Sequence, residues 1–198
     1  VGGFTEPGVP VVRRFNVDGS PDAGFTAITT GSGRVEAVKL QTDLKIAIAG
    51  SFTDLNGAVH KSVSRLNSNG TFDATFATGN PGADAIVNDL EIRPDGKMII
   101  AGAFSTYNGS PAQRIARLND NGVLDNTYTS NVSLSGTTIN DIELLADNRV
   151  LAGLNTSTSV DSMLRFTESG AIDPQWIVKL TRGGTVHEVV RQPDGKLL

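Results

Sequence analysis

At 198 residues the chain is long enough to bury a sizeable core and fits either one domain or an array of repeats. A net charge of −4, with Lys and Arg spread evenly, excludes the basic footprint of a nucleic-acid binder and of a protein docked on an anionic membrane. The absence of cysteine excludes a disulfide framework and a thiolate metal site, the 22 glycines fit a turn-rich all-β chain, and no apolar run is long enough to span a bilayer.

In chain order, Val1-Gly2-Gly3-Phe4-Thr5 has the same form as Ala49-Gly50-Ser51-Phe52-Thr53 and Ala101-Gly102-Ala103-Phe104-Ser105, so the sequence opens inside a repeat. A phrase beginning at Arg14 follows and returns at Arg65, Arg117 and Arg165, spaced by 51, 52 and 48 residues. Each copy has an apolar residue after the Arg, Gly at plus five (Gly19, Gly70, Gly122, Gly170), Asp at plus eight (Asp22, Asp73, Asp125, Asp173) and an aromatic at plus eleven (Phe25, Phe76, Tyr128, Trp176). Asp18-Gly19, Asn69-Gly70, Asn121-Gly122 and Ser169-Gly170, flanked by short runs, predict hairpins closed by tight type I′ turns, which require positive φ.

A second phrase lies between the arginines. Ile86 to Ile92, the turn Pro94-Asp95-Gly96-Lys97 and the apolar run Met98 to Gly102 state it best; Val35 to Gly50, Ile139 to Gly153 and Val186 to Leu198 are the other copies. The first strand alternates, and the second is continuously apolar, as expected of a strand covered on both faces. In the third copy Asp147-Asn148-Arg149 replaces Asp-Gly-Lys, the second strand reads one residue shorter, and the Asn-Gly loop is lost at Asn155-Thr156.

Two hairpins per period of about 50 residues, with no 3.6-residue apolar rhythm, predict an all-β propeller, or part of one, with four-stranded blades. We read residues 1–198 as one propeller region of about four repeats, with blade phrases near 13–63, 64–115, 116–164 and 165–198. Because the two ends are pieces of the same strand type, they are expected either to mark a window of a longer array or to complete one blade of a small ring.

The phrases R-L-N-x-D/N-G-x-x-D-x-x-F, P-D-G-K and A-G-x-F-x-x-x-N-G (Ala101 to Gly109), recurring in fixed order over nearly the whole chain, resemble the delta-60 repeat. That family comprises β-propeller domains of unknown function in bacterial secreted and cell-surface proteins, many from Bacteroidetes. The resemblance implies an extracellular or cell-surface location and a propeller architecture, and no known activity.

Chemistry-bearing groups are few. The Asn119-Asp120-Asn121-Gly122 loop with Asp125 superficially resembles a calcium loop but lacks the EF-hand spacing, and turn chemistry accounts for it. The Arg–Asp pairs recur in every copy, which marks them as structural. His60 and His187 lie at unrelated positions with no nucleophile or ligand neighbour at motif spacing. Glu36, Asp89, Glu91, Asp141, Glu143 and Glu188 lie on or near first strands, where a pair could serve a glycosidase or lyase. Tyr107, in the loop before Asn108-Gly109, is the candidate ligand contact together with Asn108. No catalytic, metal or cofactor residue is assigned. Asn-x-Ser/Thr triplets at Asn69, Asn108, Asn131 and Asn155 carry no N-glycan meaning in a bacterial protein, and Asp161-Ser162-Met163 resembles a short O-glycosylation site.

The expected function is a non-catalytic surface or secreted module that binds glycan or another surface protein, or acts as a rigid scaffold. It makes no direct membrane insertion in this region. The alternative is a polysaccharide-active enzyme with a carboxylate pair at the propeller channel. Differences between repeats collect at Asp54 to His60, Tyr107 to Gln113 and Asn155 to Asp161, where loops on a rigid scaffold carry recognition.

Overall fold

The computed structural model describes residues 2–6, 9–77, 82–129, 134, 136–156, 162–176 and 184–198. All regular structure among them is antiparallel β. The first sheet has the order β1 (Gly2–Glu6), β2 (Val9–Val12), β3 (Ile28–Thr29). In the second, β4 (Val35–Leu40) pairs with β5 (Ile46–Gly50); the small hairpin β6 (Asp54–Leu55) and β7 (Ala58–Val59) then branches off, and β8 (Val63–Leu66) returns to β5. The third repeats this plan with β9 (Val87–Ile92), β10 (Met98–Gly102), the side hairpin β11 (Thr106–Tyr107) and β12 (Ser110–Pro111), and β13 (Ile115–Leu118). The fourth holds β14 (Thr137–Leu144), β15 (Val150–Thr156) and β16 (Met163–Phe166), with β17 (Gly184–Thr185) paired to the end of β15.

The expected fourth strand of each unit is a single bridge: Phe15 with Pro21, Leu66 with Phe72, Leu118 with Leu124 and Phe166 with Ile172. The chain leaves the sheet at once because the Asp one position after Pro21, Phe72, Leu124 or Ile172 turns inward to meet its arginine. The turns also differ from expectation. At Asn67 to Thr71, Gly70 alone takes positive φ (+84°) and donates to Asn67 O at 2.9 Å, a type I turn followed by a left-handed residue. Asn69 stays right-handed because its side-chain oxygen accepts the Thr71 N–H at 3.1 Å. Two-residue turns with positive φ at both positions occur instead at Asn56-Gly57 and Asn108-Gly109, the tips of the side hairpins.

The continuous apolar runs are explained by stacking. Met98 and Ile100 face the second sheet, in one core with Ala47, Ala49, Val63, Phe76, Leu90 and Phe104. Ile99 and Ala101 face the fourth sheet, in another core with Tyr128, Ile139, Ile142, Val150 and Phe166. A third core between the first two sheets joins Val12, Phe25, Ile28, Ile48, Phe52 and Leu66. The third copy's second strand is longer than its counterparts, not shorter. With no Asn-Gly hairpin to divert the chain, β15 runs on to Thr156 against Thr137.

Candidate functional site

The recurring phrase builds a joint between neighbouring sheets. Arg65 Nε meets Asp73 Oδ2 at 2.7 Å, and its Nη1 reaches into the next repeat, to Asp120 O at 2.7 Å and Asp120 Oδ1 at 2.6 Å. Arg117 bonds Asp125 Oδ2 at 2.8 Å and Glu168 O at 2.8 Å, and Arg14 bonds Asp22 and Ser68 O in the same way. Each guanidinium also lies over the aromatic of its own copy: Phe25 at 5.1 Å, Phe76 at 4.9 Å, Tyr128 at 5.1 Å and Trp176 at 5.5 Å from the ring centroid. The next repeat's turn glycine seats on that ring. A Cβ at Gly122 would lie 2.9 Å from Phe76 Cζ, and one at Gly170 2.9 Å from Tyr128 Cδ1. Backbone bonds lock the seat: Thr26 N–H to Asn69 O, Ala77 N–H to Asn121 O and Thr129 N–H to Ser169 O, at 2.7, 2.8 and 3.0 Å.

The turn joining the first two strands of each sheet, Asp43-Leu44-Lys45, Asp95-Gly96-Lys97 or Asp147-Asn148-Arg149, supplies the last member. Lys45 reaches Asp73 Oδ2 at 3.1 Å, Lys97 reaches Asp125 Oδ2 at 2.7 Å, and Arg149 reaches Asp173 Oδ2 at 3.0 Å. The Asp147-Asn148-Arg149 departure therefore keeps both the turn, through Asn148 at φ +64°, and the cation. Burial raises the Asp73 carboxyl, but the Thr75 hydroxyl and N–H, Lys45 and Arg65 outweigh it and hold the group well below the usual carboxylate range. Asp125 is held low in the same way, with Lys97, Thr127 and Arg117 overcoming its burial. These residues bind sheet to sheet.

The first strands carry a second set of stitches. A β-bulge puts one extra residue at Glu36, Asn88 and Asn140. From it Asn88 Nδ2 donates to Ile139 O at 2.8 Å, and Asn140 Nδ2 to Val186 O at 2.8 Å. The next residue does likewise: Asp89 Oδ2 accepts the Ile142 N–H at 3.0 Å and Asp141 Oδ2 accepts the Val189 N–H at 2.6 Å. Burial, reinforced by the nearby Asp141 charge, pushes Asp89 up to about 7 against the pull of the Ile142 N–H and Lys39. Burial also raises Glu91, which Lys39 meets at 2.6 Å; Glu143 faces Arg191 at 3.4 Å. No group of three His, Cys, Asp or Glu side chains suited to a metal occurs among the described residues.

Tyr107, expected as a ligand contact, is fully buried, and its hydroxyl donates to Gly122 O at 3.0 Å in the joint. Leu55 fills the same place one repeat earlier, so the position belongs to the core. Asn108 is exposed at the hairpin tip, with φ +50° and its N–H bonded to Gly82 O at 2.8 Å. His60 stacks on Phe72 at 4.4 Å and meets Ser64 Oγ at 3.2 Å; His187 and Glu188 are exposed. Ser162, inside the O-glycosylation-like triplet, is buried, while Asn131, Asp161 and the end of the Asn155 to Asp161 loop lie outside the described residues. The stitching roles of Asn88 and Asn140 were missed from sequence, although their shared place two residues before Leu90 and Ile142 was available as a signal.

Antiparallel sheets stacked face to face and fastened by one recurring corner define a β-propeller repeat protein. The family described as "Domain of unknown function (DUF5122) beta-propeller" matches residues 1–25, 41–76 and 93–128, and the chain belongs to it. No curated protein matches the chain. Among solved structures, it is similar to the extracellular domain of BT4673, a candidate one component system from B. thetaiotaomicron, with 13% identity and a TM-score of 0.51 over 96% of this chain. It spans 24% of that chain's length. A protein of unknown function from Bacteroides caccae aligns over 86% of this chain and 78% of its own, at 10% identity and a TM-score of 0.38.

Proposed function

We propose that the chain is a non-catalytic propeller module of a secreted or cell-surface protein, a rigid scaffold that presents its side-hairpin tips to another surface protein. In this reading each three-stranded sheet with its outer bridge is a four-stranded blade, and the units repeat about every 50 residues. One observation carries the proposal. The charged and aromatic residues that recur are engaged in holding repeats together, while the exposed tips Asn56 to Val59 and Asn108 to Pro111 differ between repeats. Similarity to an extracellular domain supports the location. A protein partner is favoured over a glycan because Tyr107, the stacking candidate, is buried.

The second reading, a polysaccharide-active enzyme, rests on Asp89, whose carboxyl is pushed up to about 7 in the manner of a general acid, next to Asp141. Both carboxylates, however, already accept backbone N–H groups of the following repeat. The two readings part in one experiment: a panel of polysaccharides is incubated with the wild-type chain and with Asp89→Asn and Asp141→Asn. Turnover that disappears in either variant refutes the scaffold reading. No turnover, together with protease-accessible hairpin tips on intact cells, supports it.

A further inference from the structure

In an Asn-Gly dipeptide the asparagine side chain is open to attack by the amide nitrogen that follows it, because glycine has no side chain to obstruct the approach. The dipeptide occurs four times, at Asn56, Asn69, Asn108 and Asn121, and all four asparagines are exposed. Exposure therefore does not rank them. The ranking comes from whether the side-chain carbonyl under attack and the peptide that carries the attacking nitrogen are free to approach each other.

In the two copies that build joints, both groups are held. The Gly70 N–H donates to Asn67 O at 2.9 Å and the Gly122 N–H to Asn119 O at 2.8 Å. The same two peptides are gripped at their carbonyls, Asn69 O by the Thr26 N–H at 2.7 Å and Asn121 O by the Ala77 N–H at 2.8 Å. Asn69 Oδ1 accepts the Thr71 N–H at 3.1 Å and the Thr71 hydroxyl at 2.7 Å, and Asn121 Oδ1 accepts the Val123 N–H at 3.1 Å. At the side-hairpin tips, by contrast, nothing lies within 4 Å of a Cβ placed on Gly57 or Gly109, and neither glycine N–H is bonded among the described residues. Asn56 is nevertheless tied by its side chain: its Oδ1 accepts the Thr29 N–H at 2.8 Å and the Thr29 hydroxyl at 3.1 Å. The Asn108 side chain makes no hydrogen bond among the described residues, and only its main chain is anchored, N–H to Gly82 O at 2.8 Å.

We propose that Asn108-Gly109 is a site of spontaneous deamidation, set apart from three identical dipeptides by the tertiary structure. The Gly109 nitrogen gives up its proton to solvent and bonds to Asn108 Cγ, and the side-chain nitrogen leaves as ammonia, which closes a cyclic imide. Water then adds to one imide carbonyl and breaks its bond to the Gly109 nitrogen. Opening at Cγ leaves an aspartate, and opening at the main-chain carbonyl leaves an isoaspartate, whose chain runs on through Cβ and Cγ. Either product replaces an amide with a carboxylate and makes the chain one charge more negative than its −4. The reaction needs only water and does not depend on the scaffold role proposed above; if that role holds, the new charge falls on one of the presented tips.

Incubation of the folded chain in mildly alkaline buffer, followed by digestion and mass spectrometry, ranks the four sites. Asn108 is expected to convert first, with Asn69 and Asn121 at least ~10-fold slower because reaction there waits for the joint to open. In denaturant the four rates should converge, which separates the effect of folding from that of the dipeptide. Hydroxylamine, which cuts the chain at the imide, should cut the folded chain first between Asn108 and Gly109. Thr29→Val removes one of the two donors to Asn56 Oδ1 and should speed Asn56 while leaving Asn108 unchanged. Asn108 no faster than the joint sites in the folded chain, an Asn56 rate equal to that of Asn108 in the wild type, or the same spread of rates in denaturant would each overturn the proposal.

Discussion

Gly122→Ala tests the joint most directly. Gly122 has φ +80°, a conformation that costs an L side chain about 1–2 kcal/mol. Its new Cβ would also stand 2.9 Å from Phe76 Cζ and 3.0 Å from Ala77 N. Phe76 cannot retreat without leaving the Arg65 guanidinium 4.9 Å from its centroid, and the Ala77 N–H is bonded to Asn121 O at 2.8 Å. Overpacking of this kind adds about 1–3 kcal/mol, for a total near 2–5 kcal/mol. Gly109→Ala is the control: φ is +76°, but nothing lies within 4 Å, so only the conformational part, about 1–2 kcal/mol, should appear. Urea unfolding of both variants beside the wild type measures the difference. Stacked repeats can lose cooperativity, so amide exchange at Ala77 should report the same ranking locally. Equal losses in the two variants would refute the claim that the glycine is required by the ring beneath it.

Arg117→Lys should lose most of the stability lost by Arg117→Ala, about 3–5 kcal/mol, because an ammonium cannot serve Asp125, Glu168 O and Thr127 together; urea midpoints decide it. Asp89 predicts a pH dependence. Its folded value, near 7, lies above the unfolded one, so in that interval the folded state holds the extra proton. Its contribution is full below the unfolded pKa and is lost as pH rises toward 7, and Asp89→Asn should flatten that part of a stability–pH profile. Asp73 and Asp125 act in the opposite sense: their depressed values contribute stability above the ordinary carboxylate range that disappears on acidification, and Asp125→Asn should shift the acid unfolding midpoint upward. Tyr107→Phe should cost about 1 kcal/mol in thermal or urea unfolding through the bond to Gly122 O, and should leave partner binding unchanged.

Much of this molecule was legible in the order of its residues. A phrase repeated four times exposes the unit, because stacked units must present the same corner to each other, and that requirement fixes Arg, Gly, Asp and an aromatic at constant spacing. The apolar runs at Ile46 to Ala49 and Met98 to Ala101 likewise signal strands covered on both faces. What the sequence could not state is which repeat each side chain serves. Arg65 and Asp73 are eight residues apart, but the carbonyl that Arg65 also reaches lies 55 residues on, and only stacking brings it there. The same limit misplaced Tyr107: beside Asn108-Gly109 it reads as an exposed loop residue, and only the neighbouring turn, with Gly122 O in reach, draws it inward. Turn type was decided in the same way. Asn69-Gly70 and Asn108-Gly109 are the same dipeptide, yet the first follows the geometry of Asn67 and Thr71 and the second that of a free hairpin tip. Short-range chemistry therefore wrote the repeat, while the contacts between repeats, which depend on packing across some fifty residues of chain, were decided by the tertiary structure.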